Sequence, residues 1–486
     1  MKSFFSQKNI IGLLLLITAV AAFCCLWVFY LPRPEGGWQE KEIEIKDIGR
    51  CILSRGHFSV LDENGEKKWS SEKDHKVQDF LVSDLDGDGE KELILLLWKV
   101  GKYGSHRPFW VTEDEKSFSQ HIFIYRVSSD CQVREKWCAS DVGCEILRFK
   151  LMEKNDSIIL TEDVEGRCSL WRWQSFGLRI MDNGAKIVAF GDNIIHKEIY
   201  EYALNRNGRS FDYLYEPFYE EIRGADIAAF QQETMLVDKE AAISGYPMFG
   251  SPIEVGEAIV KAGFNVACCA GNHALDKGIY GINITSDFYK KNGVTCLGVQ
   301  NGEEKTYRPF EIVDKNGISF ALLDYTYGTG EMDVSEKYPY AVHYLPIDST
   351  GDRKVQENDP WSVDSIRSDI RAARDAADFV IVFVHWGNEY EKEVSDYQRS
   401  IARVLAEGGA DLVIGTHPHV VQEVEMIERH DGGQMLVYYS LGNFRAHQGF
   451  GEDTKIGGEA LITVEHCFEG VRIADYEIKE IDAYVR

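Results

Sequence analysis

The sequence predicts a chain in three parts: a membrane-spanning helix, an all-β domain, and an α/β domain built on a largely parallel sheet. Three observations predict it. An uninterrupted apolar run, Ile10 to Tyr30, follows Lys2 and Lys8. Short alternating or apolar segments separated by Gly, Asp, Asn and Ser turns then fill residues 42–182. From residue 183 strands alternate with amphipathic helices, the pattern of a parallel sheet covered by helices.

The apolar run is long enough to cross the hydrocarbon core as a helix. It ends in bulky Trp27, Phe29 and Tyr30 without a small-x-small cleavage site, and Phe23 before Cys24 makes a poor lipoprotein site. Residues 1–31 therefore read as a cytoplasmic tip and an uncleaved signal anchor. The basic residues on its N-terminal side put the rest of the chain outside the cell, as a single-pass protein of the cell membrane. Residues 32–41 have the Pro/Gly composition of a linker. The net charge of −26 over 486 residues belongs almost wholly to the exported part, which argues against nucleic acid or anionic lipid as partners. Of eleven cysteines, nine lie beyond the anchor, so at least one thiol is unpaired. Cys131, Cys138 and Cys144 are close enough for one local disulfide, whereas Cys268, Cys269 and Cys296 sit in apolar segments and read as buried thiols.

In the β-rich domain, residues 42–182, Trp69, Trp98, Trp137 and Trp171 recur at comparable intervals, which suggests about three propeller-like blades or an irregular sandwich. Within it, Asp84, Asp86 and Asp88 alternate through a Gly-containing bend that ends at Glu92. A loop of this kind folds carboxylate oxygens around Ca²⁺, although the place of an EF-hand's closing Glu is taken by Leu95. The loop resembles the calcium-binding hairpins of FG-GAP repeats, with Asp84, Asp86, Asp88 and Glu92 as candidate ligands. A solvated acidic turn is the alternative.

The α/β domain, residues 183–486, is read from its strand ends, where ligands collect in such sheets. Lys186 to Phe190 leads to Asp192, with His196 four residues on; the run after Ala225 leads to Glu233; Asn265 to Ala270 leads to Asn272 and His273; the run after Phe379 leads to His385; and Asp411 to Ile414 leads to Gly415-Thr416-His417-Pro418-His419. Residues 212–223, 253–262, 364–377 and 397–407 read as helices. Taking the last segment as extended, His417 and His419 point the same way at i and i+2, and neutral imidazole suits Zn, Mn or Fe. Each terminus alone has an ordinary reading as a cap, a turn or an edge residue. Five in succession define a site.

These motifs, NVACCAGNHALDKG, VHWGNEY, GADLVIGTHPHVVQ and YYSLGNF, resemble the calcineurin-like metallophosphoesterases, and more closely their bacterial capsule-synthesis branch, the CapA or PgsA type named for poly-γ-glutamate. The resemblance covers about residues 185–481. It implies a four-layer α/β/β/α sandwich and two divalent metal ions (Mn, Fe or Zn). Asp192, Glu233 and His419 would hold one ion, with Glu233 bridging, and Asn272, His385 and His417 the other. His273 would act as acid or oxyanion stabiliser, and Asp276 would orient it or cap the next helix. Gly442 and Asn443 would shape a loop beside the site. The family pattern departs here in Gln231-Gln232 before the bridging acid, and in His196.

The implied function is membrane-anchored, extracellular capsule (poly-γ-glutamate) biosynthesis with a metal-dependent hydrolase site; other capsule-synthase subunits and an anionic polymer are the implied partners. A general extracellular phosphoesterase and a non-catalytic surface-polymer scaffold are the alternatives.

Overall fold

The computed structural model describes residues 34–46, 49–101, 117–128, 132–138, 142–152, 155–330, 332, 334–346 and 361–485. The expected anchor lies outside them, as do residues 32 and 33 of the linker and Cys131. Among the described residues no helix is long and apolar enough to cross a membrane. The chain divides into two compact units, Met1–Asn183 and Gly184–Arg486.

The first unit holds three four-stranded antiparallel meanders in chain order. The first comprises β1 (Lys41–Ile45), β2 (Gly49–Ser54), β3 (His57–Leu61) and β4 (Lys67–Ser70). The second comprises β5 (Lys76–Ser83), β6 (Glu92–Val100), β7 (Phe118–Val127) and β8 (Val133–Cys138). The third comprises β9 (Ile146–Met152), β10 (Asn155–Asp163), β11 (Cys168–Gln174) and β12 (Gly177–Met181). The middle sheet is covered on both faces, and β6 shows why its sequence lacks alternation. Leu93, Leu95 and Leu97 pack with Phe58 and Val60 of the first sheet on one side. Ile94 and Leu96 pack with Ile159 and Trp171 of the third sheet on the other. Side chains alternate between faces along a strand, so two buried faces demand a continuous apolar run.

The N-terminal region is all-β, as expected, but the tryptophans do not mark a repeated position in its meanders. Trp69 and Trp137 lie in the last strands of their sheets, whereas Trp98 and Trp171 lie in inner ones. Cys138 and Cys144 are not bridged to each other, so the expected local disulfide does not join these two. Leu95 is fully buried, and Leu95→Ala is expected to destabilise this unit by about 2–5 kcal/mol, because the cavity adds to the lost transfer energy. The check is a shift in the midpoint of urea unfolding.

The second unit has two sheets. One runs β18 (Thr295–Leu297), β17 (Val266–Cys268), β14 (Ile227–Gln232), β13 (Gly184–Asn193), β26 (Ile456–Cys467), β27 (Gly470–Asp482), with β25 (Asn443–Arg445) also paired to β13. The other runs β19 (Glu311–Lys315), β20 (Ile318–Thr326), β21 (Phe379–His385), β22 (Leu412–Thr416), β24 (Gln434–Tyr438), β23 (Val424–Glu428). β13, β14, β17 and β18 pair in parallel, as do β20, β21, β22 and β24. A two-residue pair, β15 (Leu236–Val237) and β16 (Ser251–Pro252), lies apart.

Alternation assigns each strand two jobs. Ile187 and Ala189 of the first sheet meet Phe320, Ile381 and Phe383 of the second in a core between the sheets. Val188 and Phe190 face outward with the helices α1 (Lys197–Arg206), α2 (Tyr219–Gly224), α3 (Ile253–Ala262) and α4 (Gly278–Lys291). Val380, Val382 and Val384 face α5 (Val363–Ala376) and α6 (Asp396–Gly408) on the other side. The layers are therefore α/β/β/α. The Ser362 hydroxyl caps α5, and a Ser395/Gln398 capping box starts α6, each satisfying backbone donors that a helix start leaves open.

Residues 212–223 do not form the single helix expected. They form two short 3₁₀ turns, Asp212–Leu214 and Glu216–Phe218, before α2. Pro217 has no N–H to donate and crowds the preceding turn, so a continuous α-helix is excluded there.

Candidate metal centre

The parallel strands of both sheets deliver their C-termini to one buried cluster. Asp192, Glu233, His385, His417 and His419 are all under 4 % exposed. Asp192 occupies its place because the chain crosses closely behind it: the Asp192 N–H donates to the Gly442 carbonyl at 2.9 Å. A Cβ at Gly191 would collide with that same carbonyl. Only glycine permits this approach.

His417 and His419 do not lie on an extended segment, as their spacing suggested. β22 ends at Thr416, and the two histidines have φ of 96° and 58°. Left-handed backbone is costly for residues other than glycine and persists where the surroundings fix it. Here the His417 N–H donates to Asp192 Oδ2 at 3.1 Å, and His419 Nδ1 lies 3.2 Å from the same oxygen. The turn, not strand periodicity, brings the rings together, with centroids 5.8 Å apart.

Asn443 decides which nitrogen of His419 is available. Its amide donates to Gln448 Oε1 at 2.9 Å and to the Thr454 carbonyl at 2.8 Å, so its Oδ1 is an acceptor, and this oxygen lies 3.1 Å from His419 Nδ1. The proton of neutral His419 therefore sits on Nδ1. Nε2 is left with a free lone pair directed toward Glu233, whose Oε1 is 3.8 Å away, the outer-partner arrangement that orients a ligating imidazole. His385 is held similarly: Nδ1 is 3.0 Å from Thr416 Oγ1, and Nε2 is 3.1 Å from Asn272 Oδ1.

Three atoms in this pocket have no hydrogen-bond partner: Asp192 Oδ1, Glu233 Oε2 and His417 Nδ1. Buried polar atoms are ordinarily paired, since leaving one unmade costs about 1–3 kcal/mol. All three are Lewis bases, and the group that would satisfy them is a cation. Burial, joined by the nearby Asp192 carboxylate, holds Glu233 well above the usual carboxylate range. Burial also holds His385 and His417 well below the usual imidazole value. It acts in the same direction on His419, but the Glu233 and Asp192 carboxylates outweigh it and raise that ring to about 9.

The expected ligands Asp192, Glu233, Asn272, His385, His417 and His419 thus converge. Two triads have ligand atoms within 4.8 Å of one another: Asp192, Glu233 and His385, and Glu389, His417 and His419. His385 therefore also groups with the carboxylates, and His417 with His419, across the two sets the resemblance implied. Glu389 was not singled out in the sequence, although it sits inside the HWGNEY block, four residues past His385. Tyr327 was also missed; its ring lies 4.6 Å from that of His417.

At the rim, His273 Nδ1 is 2.7 Å from Asp276 Oδ2, which also accepts the Phe249 N–H at 2.7 Å. Asp276 therefore holds the Nδ1 proton and leaves Nε2 for chemistry. The His273 ring packs edge-on against Phe249 at 4.7 Å. His196 also packs edge-on against Phe249 and accepts the His447 N–H at Nδ1; burial lowers it to about 4.

The Asp84 loop joins β5 to β6 and is arranged differently from the expectation. Asp84 accepts the N–H groups of Gly87, Asp88 and Gly89. Asp84, Asp86 and Glu92 come together, but Asp88 turns away to Arg126, 2.7 Å from it. Lys136 Nζ lies 2.5 Å from Asp86 and 2.6 Å from Glu92. A Ca²⁺ ion would have to displace that ammonium.

An α/β/β/α body with histidines, carboxylates and an amide gathered at its strand ends defines the class to which this chain is assigned. The model of the family described as bacterial capsule synthesis protein PGA_cap matches residues 186–448: the chain belongs to that family. It is 30% identical over 221 residues to the PGA biosynthesis protein CapA of Bacillus subtilis (strain 168), covering 46% of this chain and 51% of that protein. It is 27% identical over 300 residues to the capsule biosynthesis protein CapA of Bacillus anthracis, covering 59% and 64%. The chain thus spans between half and two thirds of the length of these relatives. Among solved structures, a phosphatase from Mycoplasma pneumoniae aligns with 62% of this chain and 95% of its own at 13% identity and a TM-score of 0.36. The calcineurin-like phosphoesterase YfkN of Bacillus subtilis aligns with 62% and 91% at 15% identity and a TM-score of 0.32.

Proposed function

We propose that the chain is a metal-dependent hydrolase of capsule assembly, anchored in the cell membrane with its bulk outside, and that its cluster binds two divalent cations. The observation that supports this best is the trio of buried, unpartnered Lewis bases, Asp192 Oδ1, Glu233 Oε2 and His417 Nδ1. Asp192, Glu233, Asn272, His385, His417 and His419 would hold the ions. Bound there, two cations supply Lewis acidity to a phosphoryl or carboxyl oxygen and to an attacking water.

The chain's own groups do the rest. Asn443 and Thr416 set the ring orientations of His419 and His385. Asp276 keeps the proton on His273 Nδ1, so a protonated His273 donates from Nε2 to the departing atom, the oxygen of a phosphodiester or the nitrogen of an amide, as a general acid does. Its side chain is 17% exposed, enough to meet a substrate at the rim.

Poly-γ-glutamate enters as substrate because of the capsule relatives, and the other subunits of a capsule synthase enter as partners on the same ground. The acidic body, with a net charge of −26, makes bound cations the means by which a polyanion would be held. Metal analysis of the purified protein, followed by assays of wild type, His417→Ala and Asn272→Ala on a phosphodiester panel and on polyglutamate, tests this. Bound transition metal and loss of hydrolysis in both variants are expected. A protein without transition metal, and indifferent to both substitutions, would not be this enzyme.

A further inference from the structure

We propose that Glu389 is a further ligand of the cluster, a carboxylate delivered from the solvent side to the ion that His417 and His419 hold; this rests on the two-cation reading above. Glu389 is exposed, yet one of its oxygens lies within 4.8 Å of a nitrogen of each of these histidines. Among the described residues no lysine or arginine is seen in a salt bridge with it.

Its loop is held to the histidine turn from several sides. The Tyr390 N–H donates to the carbonyl of Pro418, between the two histidines, at 2.8 Å. Gln422 Nε2 donates to the carbonyls of Glu391 and Glu393 at 2.9 and 3.3 Å, and Gln398 Nε2 fixes Gln422 Oε1 at 2.8 Å. Tyr390 itself has a φ of 67°, a left-handed conformation that these ties maintain against its cost. The result is a rigid loop that places a single carboxylate over the two imidazoles. A free surface acid needs no such scaffold.

Charge points the same way. Asp192 and Glu233 are the two buried carboxylates of the cluster, and two divalent cations exceed them in charge by two. A third carboxylate reduces that excess while staying accessible, so it can yield its place to a substrate oxygen. The buried ligands cannot do this.

The test is titration of the metal-free protein with Mn²⁺ by calorimetry, for wild type, Glu389→Gln, Glu389→Asp and the nearby control Glu393→Gln. Wild type and the control are expected to bind two ions. Glu389→Gln is expected to bind one of them about tenfold or more weakly, with Glu389→Asp in between because it keeps the charge on a shorter arm. Two sites of unchanged affinity in Glu389→Gln would overturn the proposal and leave Glu389 a solvated loop acid. Absence of binding in the wild type would instead sink the two-cation reading, and the proposal with it.

Discussion

Glu233→Gln is expected to be nearly silent in the metal-free protein and costly in the loaded one. Burial raises Glu233 above the usual carboxylate range, which favours its uncharged form when no cation is bound, and an isosteric amide replaces that form at little cost. A cation requires the carboxylate. At a thousandfold excess over its dissociation constant, a ligand that binds only the native state stabilises it by about 4 kcal/mol. The variant should lose much of this, together with more than about a hundredfold in hydrolysis, the upper end of what the outer partners of a metal contribute. Thermal melts of both proteins, with EDTA and with excess Mn²⁺, check the first part. Equal metal-induced shifts in the two would contradict it.

The second large effect concerns proton delivery and leaves the metal alone. His273→Ala is expected to lower turnover of alkyl phosphodiesters by about 10²–10⁴-fold, with metal content unchanged. With a p-nitrophenyl leaving group, which departs without a proton, the loss should be small. Asp276→Asn should follow the same pattern more weakly, because it disturbs only the Nδ1 partner. A uniform loss across leaving groups would mean that His273 positions the cluster and does not donate a proton.

What could be read from the chain follows from which interactions are local. Strand ends are legible because a buried parallel strand is a continuous apolar run, so the polar residue after it stands out; Asp192, His385 and the histidine pair were found that way. The helices α5 and α6 carried both periodicity and caps. α4 escaped notice because GIYGINITSDFYKK contains two glycines and several β-branched residues, which weaken helix propensity; packing of Ile282 and Tyr289 into the core holds it. The conformation of His417 and His419 was misjudged because their turn depends on Asp192, 225 residues away, and no local pattern encodes that. Glu389 was missed for a related reason. It follows no strand directly, and its place over the histidines comes from backbone bonds to Pro418 and from Gln422. The turning of Asp88 toward Arg126 and the entry of Lys136 into the Asp84 loop likewise depend on cross-strand neighbours.

Anomalous diffraction from crystals grown with Mn²⁺ tests whether the strand-end cluster holds two cations. Two anomalous peaks are predicted inside the pocket bounded by Asp192, Glu233, Asn272, His385, His417 and His419, each in contact with ligand atoms of these residues. A pocket without anomalous density at saturating Mn²⁺, its carboxylates and imidazoles bonded to water, would contradict a two-cation site.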